Sequence, residues 1–550
     1  MKQNKIFNYI NYENFFIIIL FLFYFLIGSQ IFNDYGFYID EKFHRANGFY
    51  WLKYLSNFFG FTDLSQISEN KLNNIKDFTL PSIDNWNLYG VIFDVPAAYL
   101  EIILNINEPI KYYQLRHFLV FIIFFNGAIF FYKILKNRFK NIFVSIFGLI
   151  LFILTPRLLG DSFWNNKDIV FLSFYTISIF FYFKLIDKPS VKNILLFALF
   201  SAIGTSVRIA GIFLPITLIF FYLINKISNR NDIYLKTLII YLLSFLLFLF
   251  VFWPNSWTNT SSAFFSAFNL NMSWEGNVNF LGEYYFSKNL PYYYLIFWIV
   301  ISTPVIHLFL FGIGFYNYSR RLVLRYFEIK KISIYNDLWR SKSEKKDFLI
   351  FINLIFFILV LSFLNISLYN SWRLGYFLYI FILYFASMGI YLFFLNFKKK
   401  LMQLIIILVM LNLFLIYRAI LYHPYQSLYF NIFVPSSVKK TLDVDYTGLS
   451  AYHFLKKLIE EEKDNRSIKV AVNSWHPLWR MVNLLSKDER KRIIVLTTDK
   501  KNQADYLYSN RIYDVDKKYY KKYDVPSNFN KFKELKIDNT IIYDVYKRSK

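Results

Sequence analysis

The chain has 550 residues, 56% of them hydrophobic and 22% aromatic, a formal charge of +25 and no cysteine. Repeated apolar runs of about 20 residues can each cross a bilayer, which excludes a soluble globular chain. The missing cysteine excludes disulfides, thiolate metal sites and cysteine nucleophiles, and the charge is not that of a nucleic-acid binder, because Lys and Arg gather in short blocks between the apolar runs.

The first run, NFFIIILFLFYFLIGSQIF at 14–32, is too long for a signal-peptide core and lacks a small-x-small cleavage site, so it reads as a retained anchor. Hydropathy predicts further spans at 117–135, 141–157, 167–186, 192–207, 209–226, 234–253, 292–315, 348–368, 373–396 and 400–418, about eleven in all. The run 87–106 is also long enough, but Asn87, Asp94, Glu101 and Glu108 recur every seven residues and Pro96 interrupts it. One polar stripe along a helix suits a segment lying at the membrane surface. With that choice the basic blocks at 133–140, 183–192, 225–230, 320–331 and 397–400 share one side, which the positive-inside rule makes cytoplasmic. The N-terminus is then cytoplasmic. The loops 33–116, 158–166 and 254–291 and the C-terminal residues 419–550 lie outside, in the periplasm if the chain resides in a bacterial inner membrane.

From residue 419 the pattern changes. A helix at 449–463, the strand-like runs SIKVAVNSW, RIIVLTT, ADYLYS and TIIYDVY, and a helix from WHPLWRMVNLL predict a small α/β domain. The expected fold is an α-helical polytopic membrane domain, residues 1–418, followed by an external α/β domain, residues 419–550.

Three motifs fall at external ends of spans: Asp40 and Glu41 in YIDEKFHRANG, PRLLGDSFWNNKD at 156–168, and YNSWRLGYF at 369–377. Acids and bases from separate segments at one membrane face suit glycosyl transfer from a lipid phosphate. A carboxylate takes the acceptor proton while cations stabilise the departing phosphate.

At these residues the chain resembles the polyprenyl-phosphate-sugar-dependent glycosyltransferases of the GT-C superfamily, nearest to the protein mannosyltransferases and the bacterial aminoarabinose transferases (glycosyltransferase family 39-like). YYQLRHFLVF at 112–121, GDSFWNNKDIVF at 160–171, SWRLGYFLYIF at 371–381, and HPYQSLYFN with DYTGLS after 422 resemble an uncharacterised bacterial branch. The resemblance implies Asp40 as the base, Glu41 as an orienting or cation-binding group, and Asp168 as the second acid. It implies Arg373 beside Trp372 as the donor-phosphate ligand, with Arg157, Asp161, Asn166, Lys167 and Arg208 lining the substrate site. Two departures, Asp161 where the branch has His and Thr447 where it has Trp, leave open which of Asp161 and Asp168 is the functional acid. The implied partners are a polyprenyl-phosphate sugar and a glycan, lipid or protein acceptor.

Plainer readings stand beside these. Asp40 and Glu41 could be solvated loop acids, Arg157 and Lys167 snorkelling cations, and Arg208 a cap on a helical hairpin. Trp372 and Arg373 could be an aromatic-belt anchor, and Asp168 a favourable first-turn acid. The six histidines share no metal-ligand spacing. The metal role left open is a divalent cation at Asp40 or Glu41 together with the phosphate. Rival functions are a transporter or flippase for a lipid-linked saccharide, which calls for polar groups within several spans, and a non-catalytic scaffold.

Overall fold

The computed structural model describes residues 12–75, 89–227, 234–257, 265–266, 269, 276–327, 338–364, 366–369, 371–462, 464, 466–513 and 521–549. Asn87 and parts of the blocks 225–230 and 320–331 and of the loop 254–291 lie outside the described residues. The first helices are α1 (Tyr12–Ile31), α2 (Glu41–Phe58), α3 (Thr62–Asn73) and α4 (Asp94–Ile103). They are followed by α5 (Pro109–Phe139), α6 (Ile142–Ile153), α7 (Pro156–Asp161), α8 (Asp168–Asp187), α9 (Val191–Val207), α10 (Phe213–Ile227) and α11 (Leu235–Phe252). The remaining apolar helices are α12 (Tyr294–Ser302), α13 (Val305–Phe327), α14 (Lys342–Phe363), α15 (Tyr379–Asn396) and α16 (Leu401–Leu421).

Every predicted apolar segment falls on a helix, but they are not all equal. Among the described residues eight helical runs, built on α1, α5, α8, α10, α11, α14, α15 and α16, are long and apolar enough to cross a membrane. The chain is an integral membrane protein. Helix α6 has 12 residues, a rise of only about 18 Å, well short of a hydrocarbon layer of about 30 Å. Helix α9 has 17 residues. The segment expected at 292–315 is not one straight span: α12 and α13 meet at a bend of 119°. Pro304 supplies the break, since it lacks an N–H and its ring clashes with a continuing helix. The broken backbone is not left open. The Asn431 amide donates to the carbonyls of Val300 at 2.6 Å and Thr303 at 3.2 Å, and the Trp372 indole donates to Ser302 Oγ at 2.8 Å.

Helices α8 and α15 form the enclosed centre of the bundle, whereas α1, α11 and α16 turn large apolar side chains such as Phe23, Leu247 and Ile420 outward. Such faces suit lipid tails. Helix α4 is the short helix within the 87–106 run. Its polar stripe is turned inward, with Asp94 and Glu101 buried against the protein rather than wetted.

Residues of three of the basic blocks, Arg138, Asp187 and Arg325, meet the start of α14 at one end of the bundle. Arg138 grips Asp347 with two bonds of 2.6 Å, Tyr384 donates to the same carboxylate, Lys346 reaches Asp187 at 2.6 Å, and Arg325 pairs with Glu344 at 2.7 Å.

After α16 comes a small sheet domain. A hairpin of β1 (Asn277–Phe280) and β2 (Glu283–Phe286), from the loop before α12, pairs with it through a bridge from Phe280 to Leu442. The main sheet contains β3 (Ile468–Val472), β4 (Ile493–Leu496), β5 (Tyr506–Ser509), β6 (Phe529–Ile537) and β7 (Thr540–Arg548), in the order β4-β3-β5-β7-β6. The β3 strand runs parallel to β4 and β5, and the last pairings are antiparallel. The helix expected at 449–463 is α17 (Ser450–Glu461), and α18 (Lys487–Arg492) starts with a capping box of Ser486 and Glu489. The helix expected from WHPLWRMVNLL is only one turn, Trp479–Val482. Strand β6 was not foreseen. It is the sheet's edge, so its FNKFKELKI sequence is exposed and lysine-rich instead of apolar, as edge strands commonly are.

Asp347 is fully buried at the end of the bundle and holds Arg138 and Tyr384. Removing one partner of a buried ion pair strands the other charge, so Asp347→Ala is expected to destabilise the protein by about 3 to 5 kcal/mol. Thermal unfolding in detergent checks this, and an unchanged midpoint would show that the pair does not organise this end.

Candidate active site

The opposite end of the bundle carries the three motifs. Residues 35–40 lead into α2, the loop 162–167 joins α7 to α8, and a 3-10 turn at Arg373–Leu378 opens into α15. The first segment is held by close contact with the C-terminal domain. Ile39 N–H donates to Thr447 O at 3.2 Å. A β-carbon on Gly36 would stand 1.8 Å from Leu449 O, and one on Gly448, which has φ of +75°, would strike the His476 ring. Both positions therefore need glycine.

The acids of YIDEKF divide. Glu41 is buried and accepts from Tyr38 N–H at 2.8 Å, and His117 Nε2 stands 3.0 Å from its Oε1. Asp40 is exposed at the N-terminus of α2 and takes the Tyr38 hydroxyl. Tyr38 lies in turn beneath Arg373, whose guanidinium is 5.1 Å from the ring.

Asp161 and Asp168 are joined by Asn165, a residue that sequence reasoning missed. Its carbonyl accepts Asp168 N–H at 2.9 Å, and its amide donates to Asp161 Oδ2 at 2.9 Å and Asp168 Oδ2 at 3.1 Å. Their surroundings differ. Asp168 is buried between cations, with Arg208 at 2.6 Å and Arg373 at 3.8 Å. Asp161 is buried too, but its Oδ1 has no hydrogen-bond partner among the described residues, and burial pushes its carboxyl up to about 7.

Other expected residues point elsewhere. Lys167 and Asn166 turn to Asp94, at 3.0 Å and 3.4 Å, where Asn47 also donates at 2.7 Å. Burial opposes the charge on Asp94, yet Lys167 and His44 hold its carboxyl below the usual range. This cluster ties the start of α8 to α4 and α2. A second one does the same for α5, where Glu101 receives Arg45 at 2.7 Å and Arg116 at 2.9 Å. Trp372 is wholly buried on Ser302, so it anchors the bend of α12 and α13 and is no belt residue. Arg157 is buried, donates to Ser371 Oγ at 2.9 Å and Tyr429 O at 3.3 Å, and lies over Trp298 and Phe430. His307 is buried in the bundle near Thr155, as expected of a core residue.

A narrow cleft of about 30 Å³ lies among these groups. Arg157, Asp161, Arg373 and Tyr376 line it from the membrane side, and Asp443 and Tyr446 from the C-terminal domain. A larger groove of about 220 Å³ borders residues 38–42, lined by Lys42, Arg45, Arg480 and Arg490 together with Tyr112 and Tyr113. Asp40 acts electrostatically on Arg373 and Tyr446 at the cleft and on Arg480 at the groove. Among the described residues no group of three or more His, Asp or Glu is placed to hold a metal ion. Asp443 was missed because one Asp in LDVDYTG looks like any loop acid. It is buried, accepts Asn279 N–H at 2.9 Å, and burial raises its carboxyl to about 7.

The raised carboxyls make stability depend on pH. In the unfolded chain both groups lose their protons near 3.8, whereas in the folded protein they keep them to about 7. Stability from this source is complete below the lower value and is lost as pH rises through the upper one. The combined variant Asp161→Asn, Asp443→Asn is expected to flatten the fall of the unfolding midpoint across that interval. A slope equal to that of the unmodified protein would contradict it.

Residues 114–257 match the family model described as Dolichyl-phosphate-mannose-protein mannosyltransferase. No curated protein matches the chain. The crystal structure of ArnT from Cupriavidus metallidurans in the apo state superposes with a TM-score of 0.48 at 10% identity, covering 96% of this chain and 97% of that one. The structure of the same protein bound to undecaprenyl phosphate gives 0.45 at 10% identity with the same coverage. The GT-C likeness carried by the sequence motifs is thus matched by a family model over 114–257, the segment that supplies Arg157, Asp161, Asp168 and Arg208.

Proposed function

We propose that the protein is a glycosyltransferase that moves a sugar from a polyprenyl phosphate to a glycan, lipid or protein acceptor, with inversion at the anomeric carbon. The observation that carries this reading is the position of Asp40, an exposed carboxylate near Arg373 and Tyr446 of the cleft and near Arg480 of the basic groove. The family model over 114–257 supports the same chemistry.

In this reading the donor phosphate lies against Arg373 and Arg157, and the acceptor enters from the groove. Asp40 takes the proton of the acceptor hydroxyl as its oxygen attacks the anomeric carbon. The bond to the phosphate oxygen breaks on the far face and its electron pair leaves with the phosphate, where the guanidiniums offset the growing charge. A single displacement inverts the centre. Asp168, already neutralised by Arg208 and Arg373, is a positioning residue, and so is Glu41 behind Asp40. A divalent cation beside Asp40 and the phosphate is compatible with this arrangement.

Arg138 and Arg325, from two of the basic blocks, lie at the end remote from the site. By the positive-inside rule this supports a cytoplasmic position for that end, and hence a periplasmic one, at a bacterial inner membrane, for the chemistry and the C-terminal domain. The bent pair α12 and α13 is a feature that a transporter would share, but the carbonyls at its break are taken by Asn431, which favours the enzyme.

Purified protein and Asp40→Asn, assayed for sugar release from a panel of radiolabelled polyprenyl-phosphate sugars, test the reading. Loss of the base is expected to lower turnover by about a hundredfold to ten-thousandfold while donor binding is retained. Equal turnover by the two proteins would remove Asp40 from the mechanism.

A further inference from the structure

The cleft beside Arg373 holds more than a phosphate requires. Two carboxyls face it, Asp161 from the end of α7 and Asp443 from the C-terminal domain, and both side chains are more than nine-tenths buried. Among the described residues Asp161 Oδ1 has no hydrogen-bond partner. A phosphate alone does not require two carboxyls, which repel it once ionised. A partner with both hydrogen-bond donors and acceptors does account for them, because a carboxyl accepts in either state and also donates while protonated. The remaining wall carries groups that suit a small polyhydroxylated ring, for which the cleft of about 30 Å³ would have to widen. Tyr376, Tyr446 and Trp164 offer aromatic surface, and Ser371 and Thr447 offer hydroxyls. Arg157 and Arg373 lie in the same cleft, so a sugar placed on the two acids has its phosphate linkage within the reach of cations.

We infer that Asp161 and Asp443 form the sugar-recognition pair of the donor site, taking hydrogen bonds from the ring's hydroxyl or ammonium groups, so that the C-terminal domain sets which sugar is transferred. The inference rests on the function proposed above. Asp443 is suited to the part by its anchoring. One of its oxygens is fixed by Asn279 N–H, and residues 442–447 run from the bridge with the β1–β2 hairpin to the contact with Ile39. Burial that raises both carboxyls also strengthens any donor they meet, since a buried acceptor left unmatched is costly.

The test compares the affinity of the full-length protein for bare decaprenyl phosphate and for the same lipid carrying a neutral hexose, a pentose or an amino sugar. The unmodified protein is expected to favour one glycosylated lipid over the bare lipid by roughly ten-fold or more. Asp443→Asn keeps an oxygen for Asn279 N–H and is expected to bring that lipid down to the affinity of the bare one, and Asp161→Asn, from the opposite wall, to do the same. Preference for an amino sugar identifies an ammonium as the group read, and preference for a neutral sugar identifies hydroxyls. An Asp443→Asn protein that keeps its preference overturns the inference, as does an unmodified protein that has none. Failure of the wider reading looks different: the unmodified protein does not bind bare decaprenyl phosphate, or Arg373→Gln binds it as well as the unmodified protein does.

Discussion

A carboxylate buried at the edge of an apolar slab has to be held by cations, and Asp168 with Arg208 and Arg373 is where this bundle meets that requirement. The three residues come from segments far apart in the chain, and each stands at the start of a helical run: α8, the turn before α10, and the turn before α15. Breaking such a group would leave an uncompensated charge, although the pairing itself adds little net stability once desolvation is counted. Its effect is therefore geometric. It fixes the relative depth of three helices at the membrane face, and through Asn165 it fixes Asp161 as well. The Asp94 and Glu101 clusters extend the same principle outward to α2, α4 and α5.

The charge balance decides which acids are left for chemistry. Asp168 and Asp94 are matched by cations, and Glu41 by the Tyr38 amide and His117. Asp40 is held only by a phenol and faces solvent. Arg157 is matched by neutral oxygens and aromatic faces, so its charge is available to a phosphate. The neighbours Asp40 and Glu41 thus have opposite fates because the first turn of a helix points adjacent side chains in different directions, one to water and one to the core.

Much of the helical architecture was legible because apolar runs of membrane length have few alternatives. The departures came where length and direction depend on tertiary contacts. Nothing in the hydropathy of 292–315 says that Asn431 waits to satisfy the carbonyls of a helix broken at Pro304, or that Trp372 packs on Ser302 beside it. The edge strand β6 was hidden by its own solvent exposure. At the site, the motif residues Asp161, Arg157 and Arg373 line one cleft with Asp40 near Arg373, but Lys167 and Asn166, equally plausible from their motif, are turned to Asp94. Helix phase after a short loop cannot be read from spacing alone. Asp443 and Asn165 were missed for a related reason: each is an ordinary polar residue until burial and its neighbours give it a task.

The contact between residues 36–39 and 447–449 has a consequence for how such a site can work. The floor of the cleft belongs to the membrane bundle and its outer wall to the C-terminal domain, and the two are pressed together where Gly36 admits no side chain against Leu449. Asp40 directly follows one side of that contact, and Asp443 and Tyr446 precede the other. A ligand in the cleft therefore touches both parts at once. Any displacement of the outer wall would also move the backbone that carries Asp40. Positioning the acid and enclosing the ligand are then one mechanical event, and this gives a soluble-looking domain at the end of a membrane chain a direct hold on chemistry at the bilayer face.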